Sequence, residues 1–73
     1  MKTYTIQARL IDRRAGTAEI KTLEAKTVYC PAAGGWYSFE IDYAGDVLLS
    51  DHSAMRKKEL LADAANSVLD FYL

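Results

Sequence analysis

The chain has little of what usually announces a function. One cysteine (Cys30), one histidine (His52), one proline (Pro31) and one tryptophan (Trp36) stand among 73 residues. A single cysteine excludes an intramolecular disulfide and fits a reducing compartment. One Cys and one His cannot build a sulfur- and imidazole-rich metal site, which takes three or four ligands. The acids Asp42, Asp46 and Asp51 have neither the spacing nor the glycine position of a calcium-binding loop. No metal and no cofactor is expected. A basic excess is missing too: nine Lys and Arg against ten Asp and Glu give a net charge of −1. That balance argues against nucleic acid as a partner without excluding it, and against an anionic membrane surface. No apolar run approaches the roughly 20 residues needed to span a bilayer. Met1-Lys2-Thr3-Tyr4 leads straight into strand-like alternation, which argues against a signal peptide. The expectation is a cytoplasmic protein with no membrane partner.

What is present is a globular composition, 51% hydrophobic and 26% charged, which carries too much apolar content for a disordered tail. The length predicts one domain over 1–73. A chain this short buries only about 60% of the surface its unfolded form exposes. Nearly every large side chain must then serve the core, and an exposed large aromatic would be conspicuous. Dimerisation or attachment to a larger protein would relieve so thin a core.

The apolar residues follow two rhythms. Tyr4, Ile6, Ala8 and Leu10 alternate with polar neighbours, as do Tyr37, Phe39, Ile41 and Tyr43, and a period of two marks strands with one buried face. Arg13-Arg14-Ala15-Gly16 reads as a hairpin turn. Residues 17–30 change phase near Lys21 and Thr22, which suggests a strand with a bulge there or two short strands, in preference to a helix. Pro31-Ala32-Ala33-Gly34-Gly35 reads as a loop, and Ala44-Gly45-Asp46 breaks the third strand. Val47-Leu48-Leu49 is either a short fourth strand or an apolar loop. Leu61, Ala65, Val68 and Tyr72 then recur at helical spacing, with Ser53 or Ser50 as N-cap, and predict a C-terminal helix running to about Phe71. The expected fold is α+β: a three-stranded antiparallel sheet, four-stranded if 47–49 is a strand, packed on one face by that helix in the order β-β-β-α.

Little in this pattern carries chemistry. A Cys30–His52 pair is formally available for nucleophilic catalysis, but Cys30 sits among apolar strand-end residues and His52 in what reads as a helix-capping turn. Gly34-Gly35 lacks the lysine and following Ser or Thr of a phosphate loop. An enzyme is not expected. The leftover surface is more informative. If Tyr37, Phe39 and Ile41 point toward the helix, Trp36 points away from it, as do Gln7, Arg9 and Ile11 on the first strand. Tryptophan and arginine are enriched among interface hot spots. Arg56, Lys57 and Lys58 form a basic block at the positive end of the predicted helix, where they oppose its dipole and invite an external partner. The candidate partner-binding residues are therefore Trp36, Arg9, Gln7, Ile11, Arg56, Lys57 and Lys58. The reading is a small non-enzymatic protein-binding module that occludes a larger protein. Its form would be a stoichiometric inhibitor or accessory protein of phage or mobile-element type, anti-CRISPR-like in style. Homodimerisation through the bare sheet face is compatible with it.

Two other readings stand beside this one. The aromatic sheet face is a candidate platform for nucleic acid, although Glu40 and Asp42 share the parity of Trp36 and would repel phosphate. In addition, Gly35-Trp36-Tyr37-Ser38-Phe39, followed by Leu61-Ala62-Asp63-Ala64-Ala65-Asn66-Ser67-Val68-Leu69-Asp70-Phe71-Tyr72-Leu73, resembles the HicB antitoxin family over the second half of the chain. There a glycine-aromatic strand precedes a helix of similar composition, and the resemblance implies an antitoxin. The chain departs from that pattern where Glu40-Ile41 replaces the family's proline-aspartate, and in the spacing to the helix.

Overall fold

The computed structural model describes residues 2–31 and 34–73. Five strands and one short helix follow in the order β1 (Tyr4–Asp12), β2 (Thr17–Cys30), β3 (Trp36–Tyr43), β4 (Asp46–Ala54), α1 (Lys57–Asn66) and β5 (Leu69–Tyr72). The strands form a single sheet in the order β4-β3-β2-β1-β5 that curls into a nearly closed barrel. The expected three- or four-stranded sheet with a C-terminal helix is therefore wrong. The helix sits between β4 and β5, and the chain's last element is a strand.

The first half follows from its residues. β1 pairs antiparallel with β2 from Tyr4↔Ala25 to Asp12↔Thr17 without a slip, so no bulge lies at Lys21 and Thr22. Ala18 and Ile20 interrupt the apolar alternation because they face outward, while Glu19, Lys21, Leu23 and Ala25 keep one parity opposite Leu10, Ala8, Ile6 and Tyr4. β2 is shared: residues 17–25 pair with β1, and Lys26 to Cys30 pair with β3. The hairpin between β1 and β2 is held by Asp12, whose Oδ1 accepts the N–H groups of Arg14 (3.0 Å) and Ala15 (3.1 Å), a local bond typical of Asp in turns. The loop read at 31–35 includes Ala32 and Ala33, which lie outside the described residues, as does Met1.

The β3–β4 hairpin has a two-residue turn in which both Ala44 (φ 52°) and Gly45 (φ 87°) are left-handed. Such turns match the twist of the flanking strands, but alanine reaches that region at a cost of about 1–2 kcal/mol. Ala44→Asn is expected to raise stability by roughly 0.5–1 kcal/mol, because asparagine tolerates this conformation. Urea denaturation at constant m-value measures it.

β4 was obscured by its own polarity. Ser50-Asp51-His52-Ser53, read as helix-capping residues, lie inside the strand. Ser38 pairs with Ser53 and Glu40 with Leu49, so β4 carries extra residues in a bulge opposite Phe39. Ser50 fills the gap: its Oγ accepts the Phe39 N–H (3.1 Å) and donates to the His52 carbonyl (2.7 Å). The actual N-cap of α1 is Arg56, which makes no side-chain capping bond.

The helix ends ten residues after it begins, at Asn66, whose Nδ2 donates back to the Ala62 carbonyl (3.0 Å). Ser67 is already extended, and Leu69 to Tyr72 run parallel to β1 in the register Ala8↔Leu69 to Ile11↔Tyr72. The Leu73 N–H extends that pairing to the Ile11 carbonyl at 2.9 Å. Leu69 and Phe71 are buried while Asp70 and Tyr72 face outward, the alternation of a strand. The helical spacing of Val68 and Tyr72 with Leu61 is coincidental.

Every element feeds one core: Ile6, Ala8 and Leu10 from β1, Ala25 from β2, Phe39 and Ile41 from β3, Ala54 from β4, Leu60 from α1, and Leu69 and Phe71 from β5. Small Ala8 and Ala25 alternate with bulky neighbours, which lets a small barrel fill its interior with side chains. Tyr4 meets the edge of Phe39 in a T-shaped pair, with centroids 6.3 Å apart. The inward parity of Tyr37, Phe39, Ile41 and Tyr43 holds, with the two tyrosines half-buried at the ends. No helix among the described residues is long and apolar enough to cross a membrane.

Candidate functional site

The barrel divides the seven candidate residues into two groups. Gln7, Arg9 and Ile11 all lie on the outer face of β1, as their parity requires. There they are engaged by the fold. Gln7 Nε2 donates to Thr22 Oγ1 on β2 (2.9 Å), and Arg9 Nη1 donates to Asp70 Oδ1 on β5 (3.0 Å). Asp70 is the cross-strand partner of Arg9. Ile11 is half-buried, and the Arg13 guanidinium covers the neighbouring Tyr72 ring at 4.3 Å from its centroid. A ligand for this face would have to displace bonds already made.

Thr5 continues the row, its hydroxyl donating to Glu24 Oε1 at 2.6 Å. That bond, with a second from Thr3, holds the Glu24 carboxyl below its usual range. A carboxylate whose folded pKa is depressed adds stability above its unfolded pKa and loses that contribution as pH falls through the folded value. Thr5→Val is expected to raise the Glu24 pKa and flatten the loss of stability on the acid side, followed by NMR titration of the Glu24 carboxyl.

The second group gathers at the opposite end of β2. Trp36 opens β3 opposite Cys30, eight residues of β2 beyond the Thr22 that holds Gln7. At about 3.3 Å per strand residue that separates them by roughly 26 Å along the strand, so Trp36 and the β1 residues do not form one patch. Instead the register brings Trp36 to the basic block. Tyr37 pairs with Ala54, and the next residues outward are Trp36 on one strand and Met55 on the other. Arg56, Lys57 and Lys58 follow directly, all exposed. At the same end Tyr29 stands opposite Tyr37, on the other face of the sheet from Trp36, with ring centroids 5.0 Å apart.

Tyr29, Trp36 and Met55 remain 56%, 37% and 63% exposed at this end of the molecule, as Ile20, Val47, Leu49 and Leu73 are elsewhere. Two of the three escaped the sequence reading. Tyr29 has the inward parity of Tyr37, but it stands at the rim, where the strand outruns the core. Met55 falls between a strand and a helix, where no periodicity applies. Strand alternation did place Trp36 on the outside.

The His52 Nε2 lies 2.9 Å from Asp63 Oδ2, joining β4 to α1 beside the open seam between β4 and β5. That seam holds a shallow groove of about 380 Å³ lined by Asp51, His52, Asp63, Ser67 and Asp70, among others. Among the described residues no three His, Cys, Asp or Glu side chains gather in a way that would hold a metal ion.

The fold and the surface define a small, nearly closed barrel with an aromatic and basic rim at one end. Comparison with known protein families, curated proteins and solved structures finds no match. The residues 61–73 that carry the resemblance to HicB antitoxins are helical only to Asn66.

Proposed function

We propose that this protein acts by binding another protein, without chemistry of its own, through the barrel end formed by Tyr29, Trp36, Met55 and the basic residues Arg56, Lys57 and Lys58. Its form is a stoichiometric inhibitor or accessory protein of phage or mobile-element type, working in the cytoplasm. The observation that carries this reading is the juxtaposition of Trp36 and Met55 at the end of the β3–β4 ladder, both exposed and directly followed by three cations. An apolar centre with a charged rim is the anatomy of a protein interface, and three cations ask for an acidic partner surface. Gln7, Arg9 and Ile11 drop out of the contact set because the fold already uses them.

Affinity capture from the native host, followed by titration of the captured partner, tests the reading. Trp36→Ala is expected to weaken binding by about 30-fold or more, the effect of a hot-spot tryptophan, while Gln7→Ala leaves it unchanged. Equal binding by wild type and Trp36→Ala contradicts the proposal. Aromatics beside cations also suit single-stranded nucleic acid. A gel shift at about 50 mM salt, where phosphate contacts are strong, would favour that second reading.

A further inference from the structure

We propose that the groove between α1 and the barrel wall is an anchor pocket for one aromatic or branched aliphatic side chain, presented by the partner on an acidic segment. This rests on the protein-binding reading above and names the chemistry that its partner brings.

The groove has a volume of about 160 Å³ and is lined by Tyr4, Ile6, Phe39, Leu61, Ala64 and Ala65, with Thr5 at its edge. It exists because α1 turns two consecutive alanines to a wall where larger residues would have closed the space. Its size selects the guest. An apolar cavity of about 150 Å³ accepts a benzene ring, so this groove takes one ring or one leucine-sized side chain and is too short for an acyl chain.

Its lip sets the charge. The ammonium groups of Lys2 and Lys57 stand 5.3 and 6.0 Å from the centroid of the Tyr4 ring, which forms one wall. Lys57 belongs to the basic block that continues through Arg56 and Lys58 to the Trp36 rim, so pocket and rim share one cationic border. Among the described residues, the one carboxylate hydrogen-bonded to a lining residue is that of Glu24, held by Thr5. The acids of a bound segment therefore lie toward the two lysines, with the apolar side chain between them and the helix. The chain's own β4 edge, where Val47 and Leu49 are exposed beside Asp46, has similar chemistry. A second copy docked that way would make a head-to-tail contact that propagates into open chains, and an occluding protein has more use for a foreign segment.

The test uses the full chain and fluorescent synthetic peptides whose central residue is Phe, Leu or Ala, flanked by Asp and Glu or by Lys. The acidic Phe and Leu peptides are expected to bind. An Ala centre or the groove-filling Ala65→Leu should each weaken binding at least about tenfold. Ala65 is exposed and leucine is a good helix former, so the variant folds, which its melting curve verifies. Lys57→Glu should weaken the acidic peptides and favour the lysine-flanked ones, and Gln7→Ala should leave peptide binding intact.

The proposal is overturned if no acidic peptide binds at about 1 mM, or if Ala65→Leu binds as well as wild type. It is overturned equally if dodecanoate raises the melting temperature where peptides do not. Self-association that Ala65→Leu abolishes, seen by sedimentation, would make a second copy the occupant instead. A captured partner that depends on Trp36 but ignores Ala65→Leu would remove the anchor pocket and leave the protein-binding reading standing.

Discussion

Phe71→Ala is expected to cost about 3–5 kcal/mol, the range for removing a fully buried aromatic from a core. A chain of this length has a total stability of roughly 4–11 kcal/mol, so the variant should be largely unfolded at low urea or close to it. Tyr72→Ala, one residue on, should cost under about 1 kcal/mol, since Tyr72 lies on the outer face and loses mainly the stacked Arg13. The pair decides between two structures. In a helix continuing from Leu61 through Val68, Tyr72 would share the buried stripe and Phe71 would lie off it, reversing the two effects. In β5 the alternation makes Phe71 the core residue, opposite Leu10. Urea denaturation of both variants reads the difference directly.

The second large effect is expected at Gly35. Its φ of 89° lies in the left-handed region, and a Cβ built there would run into the Tyr29 hydroxyl and lie 2.7 Å from Tyr29 Cζ. Gly35→Ala therefore carries backbone strain of about 1–2 kcal/mol. It also forces Tyr29 off its contact with Tyr37, an aromatic pair worth about 0.5–1.5 kcal/mol. A loss of roughly 1.5–3.5 kcal/mol is expected in total. Because Tyr29 belongs to the exposed rim, partner binding should weaken as well, even where the protein remains folded. Tyr29→Ala combined with Gly35→Ala separates the causes. With the ring gone, only the backbone term should remain, and the double variant should be no worse than the sum of Tyr29→Ala and the strain.

The sequence was most legible where neighbouring residues decide the structure. β1, the turn at Arg13–Gly16 and the inward parity of β3 rest on local sequence, and the structure agrees with the reading there. β4 was hidden because its bulge inserts polar residues where alternation should continue. Ser50 serves the strand through its bond to the Phe39 N–H, while its type suggests a helix cap. β5 was hidden because it is four residues long and gains its partner only through a parallel crossover. A strand that short has no period of its own. Asn66-Ser67, two modest helix formers in succession, was the one local sign that the helix stops.

The site was legible to the same degree. Alternation put Trp36, Gln7, Arg9 and Ile11 on the outside, and the structure keeps them there. That Gln7 and Arg9 are already bonded depends on the registers of β2 and β5, which no local pattern contains. The proximity of Trp36 to the block at 56–58 depends on β4 being a strand at all. With 47–49 left between a short strand and a loop, and 50–53 read as cap residues, that neighbourhood is out of reach.

The parallel pairing of β1 with β5 is the feature from which the barrel, the position of Phe71 and the Arg9–Asp70 bond all follow. Backbone NMR measures it most directly. Cross-strand NOEs linking Ala8 with Leu69 and Leu10 with Phe71, together with slow exchange of the Leu73 amide held by the Ile11 carbonyl, are the expected result. Sequential helical NOEs running unbroken from Ala65 through Tyr72, with no contact between those residues and β1, would contradict it.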